Sequence, residues 1–234
     1  MRTRPTTATR DDSMSLFHYY KGVRIPVHSS KLRSHGRLIV IDDSGEIGSV
    51  STFCTLAASV TGDVKKFKTI TRAFPPSNRE NKHYNALDET KVKVLTWANE
   101  CDIDIYAVSY KKSKLNVGTP ERKKLHNLRQ TLELVELVLS EDGGFVYDLM
   151  IDNTDLINGY EDELVRRGYE IARMYGKVIE NIEMKDSSGT KELQVQDYIT
   201  STVGAHIEYE KHTEDPCHDR FRIIEYHIKK IIRK

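Results

Sequence analysis

Apolar and polar positions along this chain predict strands first and then an alternation of strands and helices. The clearest strand covers residues 37–42, where four apolar, mostly β-branched residues precede Asp42 and Asp43. A small, apolar strand at 52–60 is expected to pair antiparallel with it. The remaining strands are predicted at residues 66–73, 102–110, 145–151 and 177–184.

Helices are predicted where apolar residues recur at steps of three and four. The clearest case runs to Leu139, and its apolar positions are Leu125, Leu128, Leu132, Val135 and Leu139. The other predicted helices span residues 85–99, 158–174, 191–209 and 219–233. This order of elements favours an α/β fold in which helices flank a mixed sheet.

Three parts are expected along the chain. Residues 1–36 are an N-terminal leader, partly ordered at 15–27, that lacks the apolar region of a secretory signal. Residues 37–209 form the main domain. Residues 210–234 are expected to form a C-terminal amphipathic helix packed on that domain, and its apolar stripe is Phe221, Ile224, Ile228 and Ile231.

Composition narrows the class of protein. The 234 residues are 38% hydrophobic and 30% charged, which fits one large globular domain. The 36 Lys and Arg nearly cancel the 35 Asp and Glu, so only a local patch can argue for nucleic acid. No apolar run approaches the ~20 residues of a membrane span. Three cysteines without a C-x-x-C pair predict reduced thiols and a cytoplasmic location.

Three predicted strands end in acidic residues. The first ends at Asp42 and Asp43, a later one at Asp152, and another at Asp186. A fourth acid, Asp197, lies in a predicted helix, where it shares a face with Gln194, Ser201 and Gly204. Strand ends are where open α/β sheets place their chemistry. If these ends converge, the crowded carboxylates need a divalent cation, and an oxygen-only set suits Mg²⁺ or Mn²⁺.

Each acid also has an ordinary structural explanation. Asp-Ser-Gly after a strand is common turn chemistry, and Asp152 can simply begin a loop. Asp186 with Ser187 can cap the next helix, and Asp197 can be a solvated helix residue. Both interpretations stay open at this point.

The motifs resemble an uncharacterised domain-of-unknown-function family that is similar to ribonuclease H-like folds. That family has an N-terminal D-E-S-G motif and a C-terminal Q-x-x-D motif. The matching residues here are Asp42, Asp43, Ser44, Gly45, Asp152, Asp186, Ser187, Leu193, Gln194 and Asp197. The resemblance covers residues 37–209 and implies a ribonuclease H-like mixed sheet. Two departures are Asp43, where the family usually has Glu, and Gln196, where Ala is common.

The leading hypothesis is a divalent-metal-dependent nuclease or phosphoryl-transfer enzyme acting on nucleic acid. Asp42 would be the central metal ligand, with Asp152 and Asp197 as further ligands. Asp43 and Asp186 would be auxiliary ligands or would orient water, and Gln194 would position a carboxylate by a hydrogen bond.

Two alternatives remain. One is a non-catalytic interaction module of a mobile-element or defence system that keeps the fold. The other is a binding site for a nucleotide or phosphorylated small molecule, which a basic pocket floor would indicate.

A basic segment offers a contact for a phosphate backbone, through Lys111, Lys112, Lys114, Lys123 and Lys124. A solvated loop is the competing interpretation, because the net charge is only +1. A homo-oligomer or a protein partner is a further expectation. His83, before the first helix of the main domain, is expected to be structural or exposed.

Overall fold

A computed structural model describes residues 17–20, 23–26, 36–45, 51–72, 83, 86–115, 118–152, 157–212 and 214–234. Within the predicted leader, strands β1 (Phe17–Tyr20) and β2 (Val23–Pro26) pair antiparallel. The rest of the leader prediction lies outside the described residues.

A six-stranded mixed sheet forms the centre of the molecule. Its strands are β3 (Arg37–Ser44), β4 (Phe53–Thr61), β5 (Ile103–Lys111), β6 (Val146–Asp152), β7 (Val178–Lys185) and β8 (Ile228–Arg233). Their order is β7-β6-β3-β4-β5-β8. Strands β3, β4 and β5 form an antiparallel meander. Strand β6 is parallel to β3, β7 is parallel to β6, and β8 is parallel to β5. This arrangement confirms the predicted α/β class, a mixed sheet flanked by helices.

Helices cover both faces of the sheet. They are α1 (Val64–Arg72), α2 (Asp88–Asn99), α3 (Pro120–Glu141), α4 (Glu161–Met174), α5 (Lys191–Glu208) and α6 (Pro216–Ile224). Ile39 and Ile41 of β3 belong to the core shared with α3 and α4. Leu38 and Val40 belong to the core shared with α2, α5 and α6. Because β3 is buried on both faces, its sequence is a continuous apolar run.

The strand predicted at 66–73 is wrong, since α1 occupies most of that segment. Asp63 explains the difference: its side chain accepts a hydrogen bond from the backbone N–H of Lys66 at 2.9 Å. That contact is an N-terminal helix cap. In α1, Phe67 is buried while Lys65, Lys66 and Lys68 are exposed.

The single helix predicted over 219–233 is also wrong beyond Ile224. There α6 ends, and after one 3-10 turn the chain continues as β8, parallel to β5. Lys229 and Lys230 therefore do not lie in a helix C-terminus. Lys229 pairs with Asp104 at 3.0 Å and Lys230 with Glu141 at 2.5 Å.

A partly buried polar network lies where β3 begins. Arg37 donates to Asp142 at 2.7 Å and to Asp104 at 3.1 Å. The other oxygen of Asp142 accepts from the Tyr147 hydroxyl at 2.7 Å and from the Gly144 N–H at 2.8 Å. This network ties β3, β5 and β6 to the end of α3.

No helix in the described part of the chain is long and apolar enough to cross a membrane. Cys54, Cys101 and Cys217 are buried and free of disulfides.

Candidate carboxylate site

The acidic strand ends lie together at one edge of the sheet. In the parallel pairing of β3 with β6, Ile41 is opposite Ile151, so Asp42 and Asp152 follow at the same level. Asp152 is in turn opposite Lys185, the residue before Asp186. The sequence prediction relied on this convergence of the carboxyl ends.

Helix α5 brings Asp197 to the same region. The helix packs against β3 and β4, and Gly204 permits the close approach. A Cβ atom at Gly204 would lie 3.4 Å from the Ser44 hydroxyl. Asp197 is 8% exposed and raises the pKa of Asp42 by charge repulsion.

Asp42 is a buried acid with three acidic neighbours. Its side chain is 5% exposed, and burial raises its pKa well above the usual range. Repulsion from Asp43, Asp197 and Asp152 raises that pKa further. One oxygen accepts a hydrogen bond from the Asp43 N–H at 2.8 Å, while Oδ2 is buried without a hydrogen-bond partner. The negative charge on Asp42 is therefore incompletely compensated.

Asp42 and Asp43 point to opposite faces of the sheet. Asp42 is paired with Ala57, which belongs to the α5 side of the core. Asp43 is paired with Leu56, which belongs to the α3 side. Because side chains alternate along a strand, the three residues predicted as metal ligands share the α5 face, and Asp43 does not.

Gln194 acts on the site through a turn. Its amide donates to the carbonyls of Ser187 at 2.9 Å and Ser188 at 3.2 Å. The N–H of Ser187 then donates to Asp152 at 3.1 Å. Gln194 thus orients Asp152 indirectly. Asp186 is exposed and accepts from the Ser188 N–H at 2.7 Å, within the turn that precedes α5, whose N-cap residue is Thr190 and not Asp186.

Sequence reasoning missed the contact that His83 makes. The backbone N–H of His83 donates to Asp197 at 2.7 Å, and the Ser201 hydroxyl donates to the other oxygen at 3.3 Å. The His83 ring packs edge-on against Tyr198, and burial lowers its pKa to about 4. Nothing in the sequence pattern signals this, because the useful group is a backbone N–H from a distant segment.

A small chamber adjoins the acids on the α3 side. Its cavity volume is about 20 Å³. Its polar lining is Asp42, Asp43, Asp152, Asn127 and Thr131, and its apolar lining is Ile41, Leu56, Ile151 and Ile157. The floor is acidic, so it does not favour the alternative of a phosphate-binding pocket.

The carboxylate oxygens of these acids suit a divalent cation that prefers oxygen ligands. The unpartnered Oδ2 of Asp42 is the kind of atom that such an ion would satisfy. Among the described residues, no three His, Cys, Asp or Glu side chains are yet gathered closely enough to hold a metal ion. Backbone N–H groups instead each take one oxygen of Asp42, Asp152 and Asp197.

The basic segment lies at the same edge of the sheet. Lys111 is paired with Phe53, close to where Ser44 is paired with Thr55. Lys111 and Lys114 are exposed, and Lys112 donates to the Ser51 hydroxyl at 2.6 Å. Lys123 and Lys124 lie in the first turns of α3 and are half-buried. Lys234 directly follows β8, and its carbonyl accepts from the Lys111 N–H at 3.0 Å.

Neither protein-family models nor curated proteins show a relative of this sequence. A chain in the solved structure of the PCNA:RNase HII complex from Archaeoglobus fulgidus is similar, with 12% sequence identity and a TM-score of 0.46. The alignment covers 81% of this chain and 86% of that chain. The structure establishes the topology of the sheet. Membership of the domain-of-unknown-function family stays a prediction.

Proposed function

We propose that this protein is a divalent-metal-dependent nuclease that hydrolyses phosphodiester bonds in nucleic acid. Asp42 carries the proposal. Its carboxylate is buried, one of its oxygens has no hydrogen-bond partner, and three neighbouring acids raise its pKa. A cation would remove this repulsion, whereas a purely structural acid is expected to have its oxygens satisfied.

Asp42, Asp152 and Asp197 would hold the ion, and Mg²⁺ or Mn²⁺ suits their oxygen atoms. When bound, such an ion activates a water molecule and neutralises charge on the phosphodiester oxygens. The chain itself orients the ligands. Ser187 holds Asp152 through its backbone N–H, and His83 does the same for Asp197.

The basic residues at this edge would bind the phosphate backbone. Strands lie ~4.8 Å apart and rise ~3.3 Å per residue, so Lys111 is roughly 16 Å from Asp42. A single strand rises ~3.4 Å per nucleotide, so this separation corresponds to a segment of about five nucleotides. Lys111 and Lys114, both exposed, are the best placed for phosphate contact.

A non-catalytic module that retains the fold is the second candidate. The observation in its favour is that backbone N–H groups already take one oxygen of each of the three central acids. In that case the acids are structural caps and bind no ion.

Titration calorimetry with MnCl₂ separates the two candidates. The wild-type protein should release or absorb heat on binding Mn²⁺, and Asp42→Asn should not. Asp102→Asn is the matched control, because Asp102 is exposed at the opposite edge of the sheet. Absence of binding by the wild type, or wild-type binding by Asp42→Asn, would contradict the proposal.

Cleavage is tested with Mn²⁺ on single-stranded DNA, duplex DNA, RNA and an RNA–DNA duplex. Asp42→Asn and Asp197→Asn should each lose at least about 100-fold in rate, beyond what loss of an outer partner costs. Circular dichroism should show an intact fold. If both variants cleave like the wild type, the assignment of these ligands is wrong.

A further inference from the structure

Two histidines connect the end of α5 to the beginning of α6. The Nδ1 atoms of His206 and His218 lie 3.0 Å apart, which is a hydrogen-bond distance. The Nε2 atom of His218 lies 3.1 Å from the carbonyl oxygen of Tyr209 and 3.0 Å from that of His212. The His206 ring is stacked on Phe221 of α6, with the ring centroids 3.7 Å apart. The histidine pair therefore joins two helices and the loop between them.

The two carbonyls decide which nitrogen of each ring carries a proton. A carbonyl oxygen only accepts hydrogen bonds, so Nε2 of His218 is the donor in both contacts. While His218 is neutral, its Nδ1 has no proton and accepts the hydrogen bond from His206. His206 is then the Nδ1–H tautomer. One proton thus lies between the two facing nitrogen atoms.

The hydrogen bond between the rings survives one added proton but not two. The first can bind to Nε2 of His206, and the proton between the rings stays in place. The second must bind to Nδ1 of His218, so that two N–H groups and two positive charges face each other at 3.0 Å. Because the rings interact so closely, protons are bound by the pair and not by either ring alone.

The charged groups around the pair leave His206 harder to protonate than a free histidine. Those that face the pair are Glu210 of α5, Asp215 at the N-cap of α6, Glu225 in the turn after α6 and Arg233 of β8, whereas Arg220 of α6 is bound to Asp88 of α2. Burial lowers the pKa of His206, and the charges on His218 and Arg233 lower it further. Glu210 and Glu225 oppose the change, but Glu210 is bound to Arg233 at 2.6 Å.

We propose that His206 and His218 form a pH-sensitive clasp, which fastens α6 to the end of α5 at neutral pH and releases it when both rings are protonated. In the unfolded chain both histidines take up protons below about pH 6.5. The folded pair resists the second proton, so it binds fewer protons in this range and its stability falls as the pH falls. Cys217, Phe221 and Ile224 keep α6 packed by apolar contacts, so the opening should be local. No metal ion takes part in the clasp.

Amide hydrogen exchange at pH 7 and pH 5, corrected for the intrinsic effect of pH, tests the clasp. In the wild type, the amides of α6 should exchange about tenfold faster at pH 5, as expected for the loss of about one hydrogen bond, while those of β3 should not change. His206→Asn should abolish this pH response, because only one ring remains to be protonated. His212→Asn is the matched control, since His212 is exposed in the same loop, and should respond like the wild type.

Nitrogen NMR of the imidazole rings gives a second measurement that needs no variant. At pH 8, His206 should be the Nδ1–H tautomer and His218 the Nε2–H tautomer, and on acidification both signals should follow the same two steps. The opposite tautomers would overturn the proposal. Equal exchange of α6 at both pH values in the wild type would overturn it too, as would an undiminished pH response in His206→Asn.

Discussion

Asp42 makes the metal-free protein sensitive to pH in an unusual direction. Its pKa in the folded state is raised, whereas in the unfolded chain it is near 3.8. Between these two values the folded state holds a proton that the unfolded state has lost. Stability therefore falls as pH rises through this window, the reverse of a carboxylate in an ion pair.

Asp42→Asn should accordingly stabilise the metal-free protein at pH 7. We expect the free energy of unfolding to rise, since the amide carries no charge to be buried or to be repelled by the three neighbouring acids. The gain should shrink as pH is lowered towards 4, and Mn²⁺ should raise the melting temperature of the wild type only. Urea unfolding between pH 4 and 8 measures this. A variant less stable than the wild type at pH 7 would contradict it.

Some residues of the site can be predicted from the sequence, and others can be found only from the structure. The acids at strand ends can be found from the sequence, because a buried apolar run followed by Asp is local and unusual. Groups that reach the site only through tertiary contacts between distant segments cannot be found in this way. The His83 N–H, and the pair Asn127 and Thr131, reach the acids only after the chain has folded, and nothing in their own segments distinguishes them.

At the scale of elements, the turn between β7 and α5 links a helix to Asp152, a proposed metal ligand. Gln194 holds the turn carbonyls, and the turn holds Asp152 through Ser187. Two glutamines of α5, Gln194 and Gln196, are both buried but serve different elements. Gln196 donates to the carbonyl of Ala57 in β4 at 3.0 Å.

Gln194→Ala should therefore weaken Mn²⁺ binding by about tenfold while the fold stays intact. Gln196→Ala, the same change two residues further on, should instead lower the free energy of unfolding by ~1 kcal/mol and leave Mn²⁺ affinity unchanged. Calorimetric titration and urea unfolding of both variants test this. Equal Mn²⁺ affinities in the two variants would show that the turn does not orient Asp152.

Local periodicity predicted most elements and failed where a distant partner decides. Ile228 and Ile231 continue the spacing of Phe221 and Ile224, so the sequence fits one long helix. The run from Ile228 to Arg233 is nevertheless rich in β-branched residues, and the free edge of β5 pairs with it. Whether such a segment forms a helix or a strand depends on the sheet edge beside it, which the local sequence does not reveal.

At the scale of the whole molecule, β3 connects two edges of opposite character. Its carboxyl end brings together acids that repel one another, which costs stability unless a cation is bound. Its amino end carries Arg37, which is paired with Asp142 and Asp104. The side chain of Asp142 is 1% exposed, so this ion pair is largely shielded from water.

Arg37→Ala should therefore destabilise the protein by about 3 kcal/mol, because it leaves the Asp142 carboxylate buried without its cation. Arg166→Ala is the matched control. Arg166 bridges Glu163 at 2.7 Å and Glu170 at 2.6 Å, but its side chain is 54% exposed, so its loss should cost much less stability than the loss of Arg37. Neither change should alter Mn²⁺ affinity, since both residues lie away from the carboxylate edge. Urea unfolding that gives equal losses for the two variants would show that burial does not set the strength of this network.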